Sequence, residues 1–446
     1  MSSQESPGTC FISMVGPSRI GKTTLITALL EAGQQCFEGT NVSLKVPVGS
    51  VTEKRVSMNR RELESHIRAR TFDPGGIRGT SELFIYELVL DPQVPGYEIE
   101  VKIADFPGGW LDPVRRPPGT DWERVLQYFT RSAVLAVPID ATVLMEANQP
   151  AHQGAWPHLL LIKEVEDVVR EWAKTRAQYE KESREVFLNQ IWSEILSFAE
   201  NNLTEKQAAD LKSKLSERWP QLSRSLEWRV PAVLVLAPLK CETYFPDAGG
   251  RKDSIMDNIA DLGRRIRLRN DPKELRNRVE DLYGDIVEVA KSEYPKVEIL
   301  YCAIDSIGCV EVEQSHWDKQ GDQYYFHCSF RVRPPYKRCP RMADVIIRLI
   351  AYNFVNLQAQ ISQARQLLYE ALGQVAQEIY PTGFFSWIWA WISGNLSKID
   401  RVTQQSRELS ETEQWKLEQL MQRLNELGDV KRYVEENSLR CYFLHR

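Results

Sequence analysis

Nine consecutive residues, Gly16-Pro17-Ser18-Arg19-Ile20-Gly21-Lys22-Thr23-Thr24, combine two glycines, a lysine and two threonine hydroxyls at a spacing that suits polyphosphate. Gly16 and Gly21 let the backbone turn tightly and bring its N–H groups to phosphate oxygens. Lys22 is expected to neutralise the β- and γ-phosphates, and the Thr23 hydroxyl to ligate Mg²⁺. Ser18, Arg19 and Thr24 complete the expected nucleotide-binding stretch. A helix starting near Lys22 would aim the positive end of its dipole at the same anion. The flanks supply the context: residues 11–15 are an apolar run and residues 25–30 an apolar, helix-like one.

A second chemical stretch is Asp105-Phe106-Pro107-Gly108-Gly109-Trp110. An acidic residue closing an apolar strand is where a P-loop fold places its second Mg²⁺-side group, so Asp105 is expected to hold the metal through water. The Gly108 N–H is then the reporter of the γ-phosphate. A loop aspartate that only caps a turn is the plainer alternative.

These residues need a scaffold, and the chain supplies one. Its 446 residues exceed one ordinary domain, so one large domain with insertions, or two domains, is expected. Hydrophobic residues make up 43% and charged ones 26%, which is globular material. A net charge of −5 gives no case for a nucleic-acid partner. None of the eight cysteines forms a CxxC pair, so neither a disulfide framework nor a zinc site is expected, and a reducing cytoplasmic setting fits better. Residues 1–8 are polar and expected to be disordered. No apolar run approaches the roughly 20 residues that span a bilayer.

Periodicity predicts strands over 9–15, 81–90, 97–105, 132–141, 231–238 and 296–303, with a small appended strand over 324–331. It predicts helices over 22–32, 53–70, 251–291, 342–372 and 402–434 and a charged helical region over 149–229. The expected fold is α/β: a doubly wound P-loop NTPase with a mostly parallel sheet and one antiparallel strand. Residues 9–148 and 230–310 would form that domain, 149–229 an inserted helical subdomain, and 311–446 a mainly helical C-terminal region packed on or beside it.

The P-loop with its Ser18-Arg19 pair, the segment DFPGGWL and the strand order around them resemble GTPases of the translation-factor-related class, and within it the YcjX-like family. The resemblance covers residues 9–140. It implies a bacterial-type, largely cytosolic guanine-nucleotide-binding domain with helical additions. Base choice in such proteins follows the strand ending at Pro238, where Asn-Lys-x-Asp is usual and Leu239-Lys240-Cys241-Glu242 stands here. The resemblance implies that the Lys240 stem packs on the purine and that Glu242 accepts the two guanine N–H groups adenine lacks. A charged surface pair is the plainer reading of both. Leu239 lacks the polar group that would tie this loop to the P-loop. Ala303 falls where backbone groups touch the base. GTP is therefore expected over ATP.

For hydrolysis, Thr80 is the chosen second hydroxyl ligand of Mg²⁺, with Thr71 the runner-up and a plain strand-start residue the alternative. Gly109 stands where Ras-like enzymes carry a water-orienting glutamine, so it supplies no side chain there. Arg78 resembles the arginine that the α chains of heterotrimeric G proteins supply in cis, and Arg19 is placed to fold back over the phosphates; the alternatives are a loop cation and an ion-paired surface residue. Slow basal turnover, raised by a partner or by self-association, is the expectation. A nucleotide-dependent assembly protein that barely hydrolyses, and an ATPase, stay open beside it. Residues 383–394, GFFSWIWAWISG, read either as a peripheral membrane-interface anchor or as a wedge buried among the C-terminal helices.

Overall fold

Two stretches, VLAVPID and VLVLAPL, are apolar almost throughout and buried along nearly their whole length, as strands covered on both faces must be. They are β6 (Val134–Asp140) and β7 (Val233–Leu239), the middle of an eight-stranded sheet in the computed structural model. The structure describes residues 9–72, 80–114, 116–147, 161–225, 228–245, 271–320, 323–334, 336–379 and 396–445.

The parallel core is completed by β1 (Thr9–Met14), β5 (Ile99–Asp105) and β8 (Glu298–Cys302). Beyond β5 lie β4 (Phe84–Asp91), antiparallel to it, and the short β2 (Ser43–Lys45). A small second sheet joins β3 (Thr71–Phe72), β10 (Gln323–Val332) and β9 (Val310–Gln320). The opposite edge of the main sheet is β11 (Cys441–His445), antiparallel to β8. The expected hairpin partner β4 is thus joined by a second antiparallel strand, which comes from a region the periodicity assigns to helix and tail. Five residues are too few to carry a period-2 signature, and β11 is a strand only because β8 offers it an edge.

Helices cover both faces. On one lie α1 (Lys22–Gln35) and α2 (Val51–Arg68). On the other lie α3 (Trp122–Arg131), the short α4 (Ala141–Glu146), and the start of α5 (Ile162–Asn202), which leads into α6 (Glu205–Ser225). Then come α7 (Asp271–Glu293), α8 (Ala343–Ile379), α9 (Leu396–Leu427) and α10 (Val430–Glu436). Leu25, Leu29, Ile346, Leu349 and Leu420 fill one face of the sheet, while Phe129, Val169, Trp172, Val279 and Ile286 fill the other. The far end of α5 joins α6 and α8 in a third cluster around Ile191, Leu215 and Leu368. So α5 belongs to the sheet core at its start and to a helical cluster at its end. The single helix expected over 402–434 is interrupted at Gly428, whose φ of +76° turns the chain into α10.

β1 is flanked by β5 on one side and β6 on the other, and the chain leaves all of these strands at one edge. A crevice beyond the carboxyl ends of the strands, at the point where connections diverge, is where open α/β sheets bind ligands. No described helix is long and apolar enough to cross a membrane. Residues 1–8 and the aromatic stretch 383–394 lie outside the described residues.

Trp172 anchors α5 to the sheet. It is fully buried, and its indole N–H donates to the Ser132 carbonyl at 2.6 Å. Trp172→Ala is expected to cost about 3–5 kcal/mol, read as a lowered midpoint in equilibrium urea unfolding. An unchanged midpoint contradicts this packing.

Candidate phosphate and metal site

The expected P-loop, residues 16–21, leaves β1 and enters α1 through two left-handed residues, Arg19 with φ 64° and Gly21 with φ 107°. Such backbone suits glycine at 21 and is strained at 19. Gly16, Lys22 and Thr24 are buried, Gly21 and Thr23 half-buried, and Ser18 and Arg19 exposed. The Lys22 ammonium donates to the Gly16 and Pro17 carbonyls, each at 2.8 Å, and sits 5.2 Å from the Phe106 ring centroid. Burial lowers its pKa to about 8, with the Asp105 carboxylate acting in the opposite sense.

Three of the expected metal ligands come together. The Thr23 hydroxyl donates to Asp105 Oδ2 at 2.9 Å, the Thr80 hydroxyl donates to the same oxygen at 2.6 Å, and the two hydroxyls are 3.1 Å apart. Residues 57 and 25 positions apart in the chain are thus brought to one carboxylate oxygen by the P-loop, the approach to β4 and the end of β5. Thr71, the runner-up, lies instead on β3 in the small sheet. Burial pushes the Asp105 pKa up, against the two threonine bonds and the charges of Lys22 and Arg55. Its second oxygen, Oδ1, is buried without a hydrogen-bond partner among the described residues. An orphaned carboxylate oxygen beside two hydroxyls is an all-oxygen donor set of the kind a hard cation such as Mg²⁺ takes.

Gly108 lies directly on the P-loop. A Cβ there would fall 2.3 Å from Pro17 C and Ser18 N and 2.5 Å from Lys22 Nζ, so no larger residue fits this seat. Gly109 follows, where a Cβ would lie 3.6 Å from Ser18 Oγ.

At the other end of the crevice, Lys240 adopts φ 57° and its ammonium bonds Asp140 Oδ2 at 2.5 Å and the Arg19 carbonyl at 3.3 Å. The polar tie that Leu239 cannot make to the P-loop is made by Lys240. Leu239 instead packs its Cδ1 3.3 Å from the Cβ position of Gly21. Asp140, which belongs to none of the expected motifs, closes β6 and caps α4 through the Thr142 and Val143 N–H groups. Burial works against its charge, yet Lys240, Thr142 and Val143 together hold its pKa below the ordinary carboxylate range. Its signal is the acid at the end of an apolar strand, the same one that marks Asp105.

Glu242 and Ala303 are placed differently from a base-reading pair. Glu242 is 2% exposed and accepts the Gly308 N–H at 3.0 Å; burial and the nearby Asp305 raise its pKa to about 7. Ala303 is buried and its N–H donates to the Arg440 carbonyl at 2.8 Å. Of the expected arginines, Arg78 lies outside the described residues and Arg19 is exposed. Arg55 of α2 is the cation the motifs miss. Its guanidinium lies 5.5 Å from the ring centroid of Phe84, the register partner of Asp105 across β4 and β5. No spacing rule could reveal it, because only sheet register brings α2 over that pair.

The chain matches no protein-family model, and no curated protein matches it.

Gly108→Ala is expected to lift the 106–110 segment off the P-loop, because the obstructing atoms are backbone. Amide hydrogen exchange around Gly16–Lys22 should accelerate in that variant. Gly284→Ala, with no atom within 4 Å of its Cβ, should leave that exchange unchanged. Equal protection in wild type and Gly108→Ala contradicts the close seat.

Proposed function

We propose that this chain binds a purine nucleoside triphosphate, GTP by preference, together with Mg²⁺, and hydrolyses it slowly as a regulatory or assembly switch. One observation carries the reading: Thr23, Thr80 and Asp105 converge at the foot of α1 beside Lys22 and a glycine-turned loop. The resemblance of residues 9–140 to YcjX-like GTPases points the same way. Thr23, Thr80 and Asp105 would hold the metal, which when bound offsets the charge of the β- and γ-phosphates. Gly16, Ser18, Arg19, Gly21 and Thr24 supply the loop around the phosphates, and Lys22 the fixed positive charge.

The segment 106–110, seated on the P-loop through Gly108, is the element whose position a γ-phosphate would govern. Gly109 offers no side chain to orient water, which agrees with slow turnover. Positive charge toward the β–γ bridge is assigned to Arg55, with Arg19 and Arg78 as further sources. At the base, the Lys240 stem would stack on the purine while its ammonium keeps Asp140 and the Arg19 carbonyl. The commitment of Glu242 to Gly308 favours a second reading, a nucleotide switch whose base selection is weak enough to admit ATP. A partner protein or a second copy would act through the helical parts, and a membrane contact through 383–394.

Titrating the purified chain with fluorescent GTP and ATP analogues, with and without Mg²⁺, tests the reading. Mg²⁺-dependent binding, lost in Lys22→Ala and weakened in Asp105→Asn, is expected; no affinity for either triphosphate in folded protein overturns it. Single-turnover phosphate release should fall at least tenfold in Arg55→Ala with binding retained.

Binding should also depend on pH. The free Lys22 value of about 8 lies below the ordinary 10.5, so burial favours the neutral amine over that interval. A bound polyphosphate favours the ammonium, and so binding takes up a proton above about pH 8. Affinity should weaken as pH rises through that value, by at most tenfold per unit. A pH-independent affinity rules out Lys22 as the phosphate cation.

A further inference from the structure

At the far edge of the main sheet, two cysteines face each other across the last strand pair. Cys441 on β11 and Cys302 on β8 are register partners. The Ala303 N–H donates to the Arg440 carbonyl at 2.8 Å, which makes 303 and 440 a hydrogen-bonded pair. In an antiparallel ladder the two kinds of pair alternate, so 302 and 441 form a non-hydrogen-bonded pair. The Cα atoms of such a pair approach to about 4.5 Å and their side chains lie closest together. A disulfide spans Cα separations of about 4.4–6.8 Å without moving backbone. Both thiols are free and fully buried. The Cys302 thiol donates to the Met342 carbonyl at 3.6 Å, and burial with Cys441 alongside holds its pKa well above its ordinary value. Tyr301 and Tyr442, the next pair along, stack with ring centroids 4.9 Å apart and keep the strands in this register. Elsewhere in the sheets, Cys10 is the register partner of Val101 and Cys328 that of Ser315.

We propose that Cys302 and Cys441 are a thiol pair that a small disulfide of the glutathione class converts to a cross-strand disulfide. The Cys441 thiolate attacks one sulfur of the small disulfide and expels one thiolate. The Cys302 thiolate then attacks Cys441 Sγ and expels the second. The two cysteines lose two electrons and two protons, and the small disulfide takes them up and leaves as two thiols. In the closed sheet both thiols are buried and out of reach, so the reaction follows opening of β11, five residues at the sheet edge. The bond then closes the chain between 302 and 441 and prevents that opening. This is a switchable staple rather than the disulfide framework that small secreted domains use.

The staple acts next to the crevice. Arg440, adjacent to Cys441, donates from Nη1 to Asp305 Oδ1 at 2.9 Å, and the Cys241 thiol donates to the same oxygen at 3.3 Å. Fixing β11 therefore fixes the segment that follows Lys240. Any consequence for base binding rests on the nucleotide reading above; the staple itself does not.

The test incubates the full chain with glutathione disulfide, then denatures, alkylates and maps unreduced peptides by mass spectrometry. The expected result is a 302–441 cross-linked peptide as the main product, formed faster in mild urea, together with a raised thermal-unfolding midpoint. Dithiothreitol should reverse both, and Cys441→Ala should form no such product. Full alkylation of Cys302 and Cys441 after oxidation overturns the proposal. So does oxidation confined to exposed Cys339. A cross-link that leaves the unfolding midpoint unchanged overturns the pinning of β11. None of these readouts uses a nucleotide, so failure of the nucleotide reading leaves them interpretable.

Discussion

A buried carboxylate is expensive, and Asp105 is buried at the centre of this molecule's working edge. At 1% exposure its charge is disfavoured, and the fold answers with two threonine hydroxyls on one oxygen and two cations nearby. Those groups come from three separate places: Lys22 and Thr23 from the start of α1, Thr80 from the approach to β4, and Arg55 from α2. The sheet order holds them in place, because β5 must lie beside both β1 and β4 for one oxygen to meet both hydroxyls. The other oxygen is left without a described partner, so the carboxylate is not closed off as a fully satisfied polar knot.

The same edge holds a second carboxylate with the opposite outcome. Asp140 ends β6 as Asp105 ends β5, yet its lone pairs are taken by Lys240, Thr142 and Val143. It is fully used in joining the Lys240 loop to the start of α4. Lys240 then reaches the Arg19 carbonyl, so the loop after β7 and the loop after β1 are linked through one ammonium. Leu239 need make no polar tie to that loop: its neighbour makes it, and the leucine packs on Gly21 instead.

Long helices bind the additions to this scaffold. α5 seats Trp172 and Val169 in the sheet core and Ile191 and Ile195 among α6 and α8. α8 does the same on the other face, with Ile346 and Leu349 against the sheet and Leu368 and Leu372 in the helical cluster. The helical cluster is thus joined to both faces of the sheet by continuous helices rather than by loops.

The sequence alone determined the strands of the parallel core and the helix that follows the glycine-bounded loop, and it singled out Thr23, Thr80 and Asp105, which the fold brings into contact. Those features are local: apolar runs of strand length, glycines at fixed offsets, and an acid or hydroxyl at a strand end. What it could not determine was anything set by contact between distant segments. Arg55 meets the Asp105 region only through the β4–β5 register, and β11 is a strand only because β8 leaves an edge to pair with. Glu242 matches a base-reading motif by position, but its carboxyl direction depends on where Gly308 offers an N–H, 66 residues later. Spacing along a chain specifies which groups are present. Which of them face one another is decided by sheet order and burial, since a polar group taken out of water must find its partner in three dimensions.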